Sequence, residues 1–302
     1  DPGYRAERII DLLTLHGADG LTVQELGKMQ RDTSPLRARE MVPLLAGATP
    51  ATQDGATIAA RISGWDGTCG TDSIGCAAWN AWEYRVMRDL FDSKLGLPLA
   101  RDYVGNPVSW VFVTQLLADP TNRWWDDPAT ANRVEQANDI VSRAMDEAGA
   151  ELRAAVGGPD RWSWGRIHTA TFREATLGSS GIGPLEWYFN DGPRAVPGMS
   201  GAVDNTYYRF TAAYPDPRDP AYRPVGIDHV FDTTNMPSYR LTIDMSDLDG
   251  ARIVITTGQA GNPFDRHYND QIDAWRNGRT VPLPFTPGAI AAAAASTLTL
   301  TP

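Results

Sequence analysis

Gly258-Gln-Ala-Gly-Asn-Pro-Phe-Asp-Arg-His-Tyr-Asn-Asp-Gln271 separates two regular stretches of the chain. Before it, Arg252-Ile-Val-Ile-Thr-Thr257 is short and largely apolar, as expected of a strand covered on both faces. Asp247-Leu-Asp-Gly250 supplies a turn ahead of that strand. After it, residues 269–275 read as a helix and 288–298 as a closing one. The glycines, asparagine and proline within the stretch turn the chain, and Gln259 and Asn262 are expected to fix that turn rather than touch a substrate.

Upstream, residues 1–157 read as mainly helical. Residues 4–15 carry Ile9, Ile10, Leu12 and Leu13 among charges. Thr22 with Glu25 three residues on is a capping box. Further helices are expected over 35–45, 77–95 and 108–117, the second from the spacing of Trp79, Trp82, Val86, Leu90 and Phe91. Asp126-Asp127-Pro128 predicts the start of a helix over 128–156, stopped by Gly157-Gly158-Pro159. Beyond residue 157 the grain changes. Glycine, proline and asparagine become frequent, and β-prone runs fall at 167–172, 207–212, 239–243 and 253–257. Helices first and strands later, with no clear linker, fit an α+β layered domain or part of one: 1–157 mainly helical, 158–302 mixed strands and closing helices.

Bulk properties narrow the function classes. The chain has 302 residues, 42% of them hydrophobic, enough for one large domain or two ordinary ones. Net charge is −10 and the lysines are Lys28 and Lys94, so the clustered cations of a phosphate-binding surface are missing and nucleic acid is not an expected partner. No apolar run approaches the roughly 20 residues of a membrane span. Asp1-Pro2-Gly3 leads straight into a charged helical pattern with no signal peptide. The expectation is a piece of a longer protein, or else a processed secreted one. Cys69 and Cys76 enclose two glycines and can close a small loop. A disulfide there implies export to an oxidising compartment; two free buried thiols are the alternative.

Spacing alone yields little chemistry. His16, His168, His229 and His267 show no metal-binding spacing. No nucleophile elbow, P-loop or dinucleotide fingerprint is present, and Ser179-Ser180-Gly181 reads as a loop. With 37 acidic residues and ten tryptophans a carbohydrate-active enzyme is one reading, although tryptophans at helical spacing are more often core than sugar platform.

The tail says more. The 258–271 stretch, followed by Trp275, Gly278-Arg279, Val281-Pro-Leu-Pro-Phe285 and the closing Leu300 and Pro302, resembles the C-terminal signature of the penicillin acylase family. Ala260 and Asp265 stand where serines are usual. Weaker matches keep the family's order: Arg5-Ala-Glu-Arg-Ile9, Gln30-x-Asp32, Trp164-Gly-Arg-Ile-His-Thr169, Gly192-Pro193 with Gly198, and Ser238-Tyr-Arg-Leu-Thr-Ile-Asp244. Together they span essentially all 302 residues.

The resemblance implies the C-terminal part of the β-subunit of an N-terminal nucleophile hydrolase with a four-layered αββα core. In that family a precursor cuts itself and exposes a serine. The serine's hydroxyl attacks an amide, its own α-amine takes the proton, and water then releases the acyl group. Backbone and asparagine donors hold the oxyanion, each worth about 3–4 kcal/mol. Serine and asparagine are expected before Asp1, so the chain alone is expected to be inactive. The remainder of the β-subunit and an α-subunit are the implied partners, and an acyl amide the substrate. One residue carries over to the catalytic site: Arg5, matching an arginine that orients the asparagine, with Arg8 one turn on as the fallback and a surface role as the bland reading. His168 is expected to pack near the sheet, and Asp244 is a weaker candidate for support of the site. No cofactor is required. Calcium is a feature of many members, with ligands expected mostly outside this chain, which has no D-x-D-x-D loop. The rival readings are a non-catalytic binding or scaffolding piece and the carbohydrate-active enzyme.

Overall fold

A computed structural model of the chain describes residues 2–16 and 20–300. Its contacts separate two units: Asp1–Asp11, Asp32–Thr171 and Gly192–Met236 in the first, and Leu12–Arg31, Phe172–Asp191 and Pro237–Pro302 in the second. The helices are α1 (Tyr4–His16), α2 (Val23–Met29), α3 (Leu36–Met41), α4 (Gln53–Ser63), α5 (Ile74–Leu95), α6 (Leu97–Val104), α7 (Val108–Leu117), α8 (Ala137–Val156), α9 (Gly183–Phe189), α10 (Ile272–Arg276) and α11 (Pro287–Ala293). Strands β1 (Thr169–Phe172) and β2 (Asp191–Ala195) form one sheet. β3 (Tyr239–Asp244), β4 (Asp247–Ile255) and β5 (Val281–Pro282) form a second, antiparallel one in that order. Among the described residues every strand lies after residue 157, the mixed helix-then-strand order that the sequence implies.

The first unit is built on α4, α5 and α8, which pack against one another. α5 is the most deeply buried helix of the three: Trp79, Trp82, Val86, Met87, Leu90 and Phe91 are all inaccessible to solvent, as are the polar Asn80 and Glu83. α8 is amphipathic and buries Ile140, Ala144, Ala148 and Leu152 at four-residue spacing. It also serves α4 chemically. The Asp146 carboxylate accepts Ala51 N at 2.9 Å and Thr52 N at 2.8 Å, satisfying amides at the N-terminus of α4. Gly149 lets the two helices close up, since a Cβ there would lie 2.8 Å from the Asp54 backbone. Six tryptophans (Trp79, Trp82, Trp125, Trp162, Trp164 and Trp275) are fully buried. Each contributes core area worth about 2–3 kcal/mol, so they form no sugar platform.

In the second unit the capping box is present: Thr22 Oγ1 accepts Glu25 N at 3.2 Å and Glu25 Oε2 accepts Thr22 N at 2.9 Å. Gln30 Nε2 donates to the Leu241 carbonyl at 2.9 Å, fastening α2 to β3. The 258–271 stretch folds back on itself. Ala260 N reaches the His267 carbonyl at 3.1 Å, Asn262 Oδ1 accepts Phe264 N at 3.0 Å, and Gln271 Oε1 accepts Ile255 N at 3.1 Å. Gly258 passes so close to the His267 carbonyl that a Cβ would collide with it.

Several expectations need correction. α8 starts at Ala137, not at residue 128, because Asp126-Asp127 makes a turn instead. Asp127 Oδ1 accepts Ala129 N at 3.0 Å, Glu135 Oε2 accepts Asp127 N at 3.1 Å, and Asp139 caps Gln136 N at 3.0 Å. The 207–212 run holds only an isolated bridge, Tyr207 with Asn235, before a 3-10 turn at Phe210–Ala213. Asp247–Gly250 lies within β4; the hairpin turns at Met245 and Ser246. In β4 Val254 is buried, but Ile253 and Ile255 remain partly exposed, so the run is not covered on both faces. The expected disulfide, by contrast, is present: Cys69 and Cys76 are joined, with Cα atoms 5.2 Å apart.

Candidate functional site

The arginines singled out near the N-terminus separate clearly. Arg8 is buried and makes a two-pronged pair with Asp32, Nε–Oδ1 3.0 Å and Nη2–Oδ2 2.7 Å. Asp32 also accepts Ser34 N at 3.2 Å, and its carbonyl takes Asp204 N at 2.9 Å. The hydrogen-bonded carboxylate, more than offsetting burial, raises the Arg8 guanidinium above its ordinary value. Two of the three Arg8 nitrogens are thereby engaged by Asp32. Arg5, one turn earlier, is half-buried, and its Nε is buried with no hydrogen-bond partner among the described residues.

A second network lies deeper in the same unit. Arg37 Nε and Nη2 donate to Glu83 Oε1 and Oε2 at 2.8 and 2.9 Å, Nη1 donates to the Ser200 carbonyl, and the guanidinium sits 4.2 Å from the Trp110 ring centroid. Burial opposes the charge on Arg37, but Glu83 outweighs it and the pKa ends above the arginine range. Tyr208 O–H donates to Asn80 Oδ1, and burial pushes its pKa up, so it stays a neutral donor. Asn80 Nδ2 in turn donates to the Cys76 carbonyl at 2.9 Å and lies 3.3 Å from Cys76 Sγ. The disulfide and the ion pair are thus joined through a single amide and phenol. No sequence pattern indicated Arg37, Glu83 or Asn80; they are scattered polar positions that meet only after folding.

His168 is inaccessible to solvent and stacks on Trp164 at 4.5 Å. Its Nδ1 lies 2.6 Å from the Phe231 carbonyl and Nε2 2.8 Å from Thr206 Oγ1. A carbonyl only accepts, so Nδ1 carries the proton of the neutral ring; the single Thr206 hydroxyl proton lies between Nε2 and the Pro197 carbonyl, 2.9 Å from Oγ1. Burial pushes the imidazole down to about 4. These contacts anchor the ring in the core. Asp244 caps its hairpin turn, accepting Ser246 N at 2.8 Å. Asn262 fixes the tail turn, and Gln259 is exposed.

Arg5 and Arg8 are therefore close in the fold, while Asp244, Gln259 and Asn262 belong to the second unit. In that unit a cleft of about 920 Å³ lies between α2 and the β3–β4 hairpin, lined by Lys28, Arg31, Thr242, Asp244 and Arg252 among others. Among the described residues no group of three or more His, Cys, Asp or Glu side chains is placed to hold a metal ion. No described helix is long and apolar enough to cross a membrane.

A family model described as penicillin amidase matches residues 1–292. The acyl-homoserine lactone acylase QuiP of Pseudomonas aeruginosa is 28% identical over 75% of this chain and 26% of its own length. The penicillin acylase 2 proenzyme of Pseudomonas sp. (strain SE83) is 27% identical over 100% of this chain and 36% of its own length. The chain thus spans about a quarter to a third of the relatives it matches. Among solved structures, thermostable penicillin G acylase from Alcaligenes faecalis aligns with 100% of this chain and 53% of its own, with a TM-score of 0.50 and 17% identity, a likeness of fold.

Proposed function

Since the chain belongs to the penicillin amidase family, we propose that it is one segment of a hydrolase that cleaves a linear acyl amide through a serine acyl-enzyme. The serine and its α-amine lie on polypeptide outside these residues, as does the asparagine of the oxyanion site. Penicillin-type, acyl-homoserine lactone-type and acyl-peptide substrates all present the same bond, and the acyl pocket that chooses among them is formed mainly elsewhere. The carrying observation is the family match over residues 1–292, at about a third of the length of a relative named as a proenzyme. The partners are the remainder of the β-subunit and an α-subunit cut from the same precursor. The protein is exported, a reading supported by the Cys69–Cys76 disulfide. Any calcium of the whole protein draws its ligands mainly from outside the chain.

Within this segment Arg5 is the residue that positions the catalytic asparagine. Its buried, unpartnered Nε supports this, because Arg8 is already bound to Asp32. The test is made on the whole processed protein with a chromogenic phenylacetyl amide and, in parallel, a nitrophenyl glycoside. Amide cleavage alone is the expected result; glycoside cleavage alone overturns the proposal. Arg5→Ala is expected to lower kcat/KM at least tenfold with an unchanged melting temperature, and Arg8→Ala to lower the melting temperature. The 302-residue chain by itself is expected to release no product above the buffer rate.

A further inference from the structure

The second unit carries a cluster of aromatic side chains that nothing in it covers. Trp187 is 83% and Phe264 82% exposed; Tyr188, next to Trp187 in the chain, and Ile182, just ahead of α9, are exposed as well. Tyr188 and Phe264 stack obliquely with ring centroids 5.5 Å apart. Most exposed apolar residues occur singly and need no explanation; two exposed rings in contact, with a nearly bare tryptophan next in the chain, do.

The backbone beneath these rings is firmly held. Tyr268 O–H donates to the Phe189 carbonyl at 2.7 Å, and Asn269 Nδ2 donates to Asp191 Oδ2 at 3.1 Å, tying the end of α9 to the tail stretch. Ahead of α9, Gly181 N donates to Glu186 Oε1 at 2.7 Å. Asn190 clamps the loop from both sides, accepting Glu174 N at 3.0 Å and donating to the Gly178 carbonyl at 2.8 Å. The rings are exposed on a fixed support. Fixed aromatic anchors lose little entropy on association, which is the character of an interface hot spot.

We propose that Trp187, Tyr188 and Phe264 form the docking surface for an apolar segment of the longer polypeptide to which this chain belongs. The inference rests on the amidase-segment reading above and adds where the missing portion meets this one. The occupant follows from length and chemistry: curated relatives are about three to four times as long as the part matched here, and the platform is aromatic, with Glu186, Asp191, Asp265 and Arg266 as the nearby charges in sequence. A second copy of the chain and a small apolar ligand are the competing occupants.

The experiment places a photo-cross-linking amino acid at 187 or 264 in the whole processed protein, with position 134, exposed in the first unit, as control. The expected result is cross-links from 187 and 264 to peptides of the same precursor outside residues 1–302. Cross-links only to residues 1–302, whether within one chain or between copies, or none at all, overturn the proposal. A Trp187→Ser/Phe264→Ser variant is expected to release the partner polypeptide about tenfold faster than wild type; unchanged release counts against it. Amide hydrolysis is assayed on the same wild-type preparation. Activity without the cross-links rejects the docking surface alone, and cross-links without activity reject the amidase reading alone.

Discussion

Arg37 and Glu83 face each other across the core of the first unit at 2.8 and 2.9 Å, their side chains 1% and 0% exposed. Such a pair adds little net stability over apolar residues of the same shape, yet removing one partner strands a buried charge. It forms one network with Ser200, Tyr208 and Asn80: the guanidinium reaches the 200–208 loop, and the phenol and amide continue from that loop to the disulfide.

Glu83→Gln is therefore expected to destabilise the chain by about 3–5 kcal/mol, measured by urea denaturation. A paired Arg37→Met/Glu83→Leu variant should recover most of that loss. If Glu83→Gln unfolds at the wild-type urea concentration, the pair does not carry the role assigned to it.

The charged seam between α5 and α8 makes stability depend on pH. Burial, and next the nearby Glu147, push Asp89 up to about 7 from an ordinary 3.8, despite Arg85 and Arg143 at 3.3 and 3.4 Å. A carboxyl raised on folding gives stability that is complete below about 3.8 and is lost as pH rises through 7. His168 works the other way in the same range. Its folded value, near 4 against an ordinary 6.5, gives stability present above 6.5 and lost as pH falls through 4. Subtracting wild type from Asp89→Asn isolates the first effect. The variant should gain, relative to wild type, on the order of 2–4 kcal/mol between pH 4 and pH 7.5. A difference that stays constant with pH would refute the assignment.

Replacing Cys69 and Cys76 by serine is expected to cost roughly 2–3 kcal/mol through the freed loop of the unfolded chain. Both sulfurs are inaccessible to solvent, so in the folded protein reduction by dithiothreitol should lag far behind reduction in urea. Equal rates under the two conditions would contradict the buried placement.

Gly258→Ala forces a methyl against the His267 carbonyl, which is backbone and cannot swing away. The expected loss is about 1–3 kcal/mol, read as a lower melting temperature. Gly261→Ala, with open space around it, is the control and should change little beyond its backbone effect.

The local signals that were legible have local causes. The Thr22–Glu25 box, the α7 boundaries and the stop at Gly157 each depend on residues within a few positions of one another. The 258–271 stretch pointed to the family for the same reason: its turn is made by its own glycines and Asn262. Failures occurred where a distant or competing partner decided. Asp126-Asp127-Pro128 carries a sound helix-start pattern, yet Glu135 draws that segment into a turn. α4 was not anticipated although Ile58 and Ile62 are buried one turn apart; its N-terminus is stabilised by Asp146, some ninety residues away.

The amino-acid order by itself determined that helices come first and strands later, the family and the absence of a membrane-length apolar run, because periodicity and short motifs are properties of neighbours in the chain. Only the tertiary structure decided that Arg8 rather than Arg5 pairs with Asp32, that Glu83 neutralises Arg37, and that the His168 ring donates to the Phe231 carbonyl. Each of these rests on groups 24 to 63 residues apart, whose charges and hydrogen bonds matter only once burial has removed the water between them.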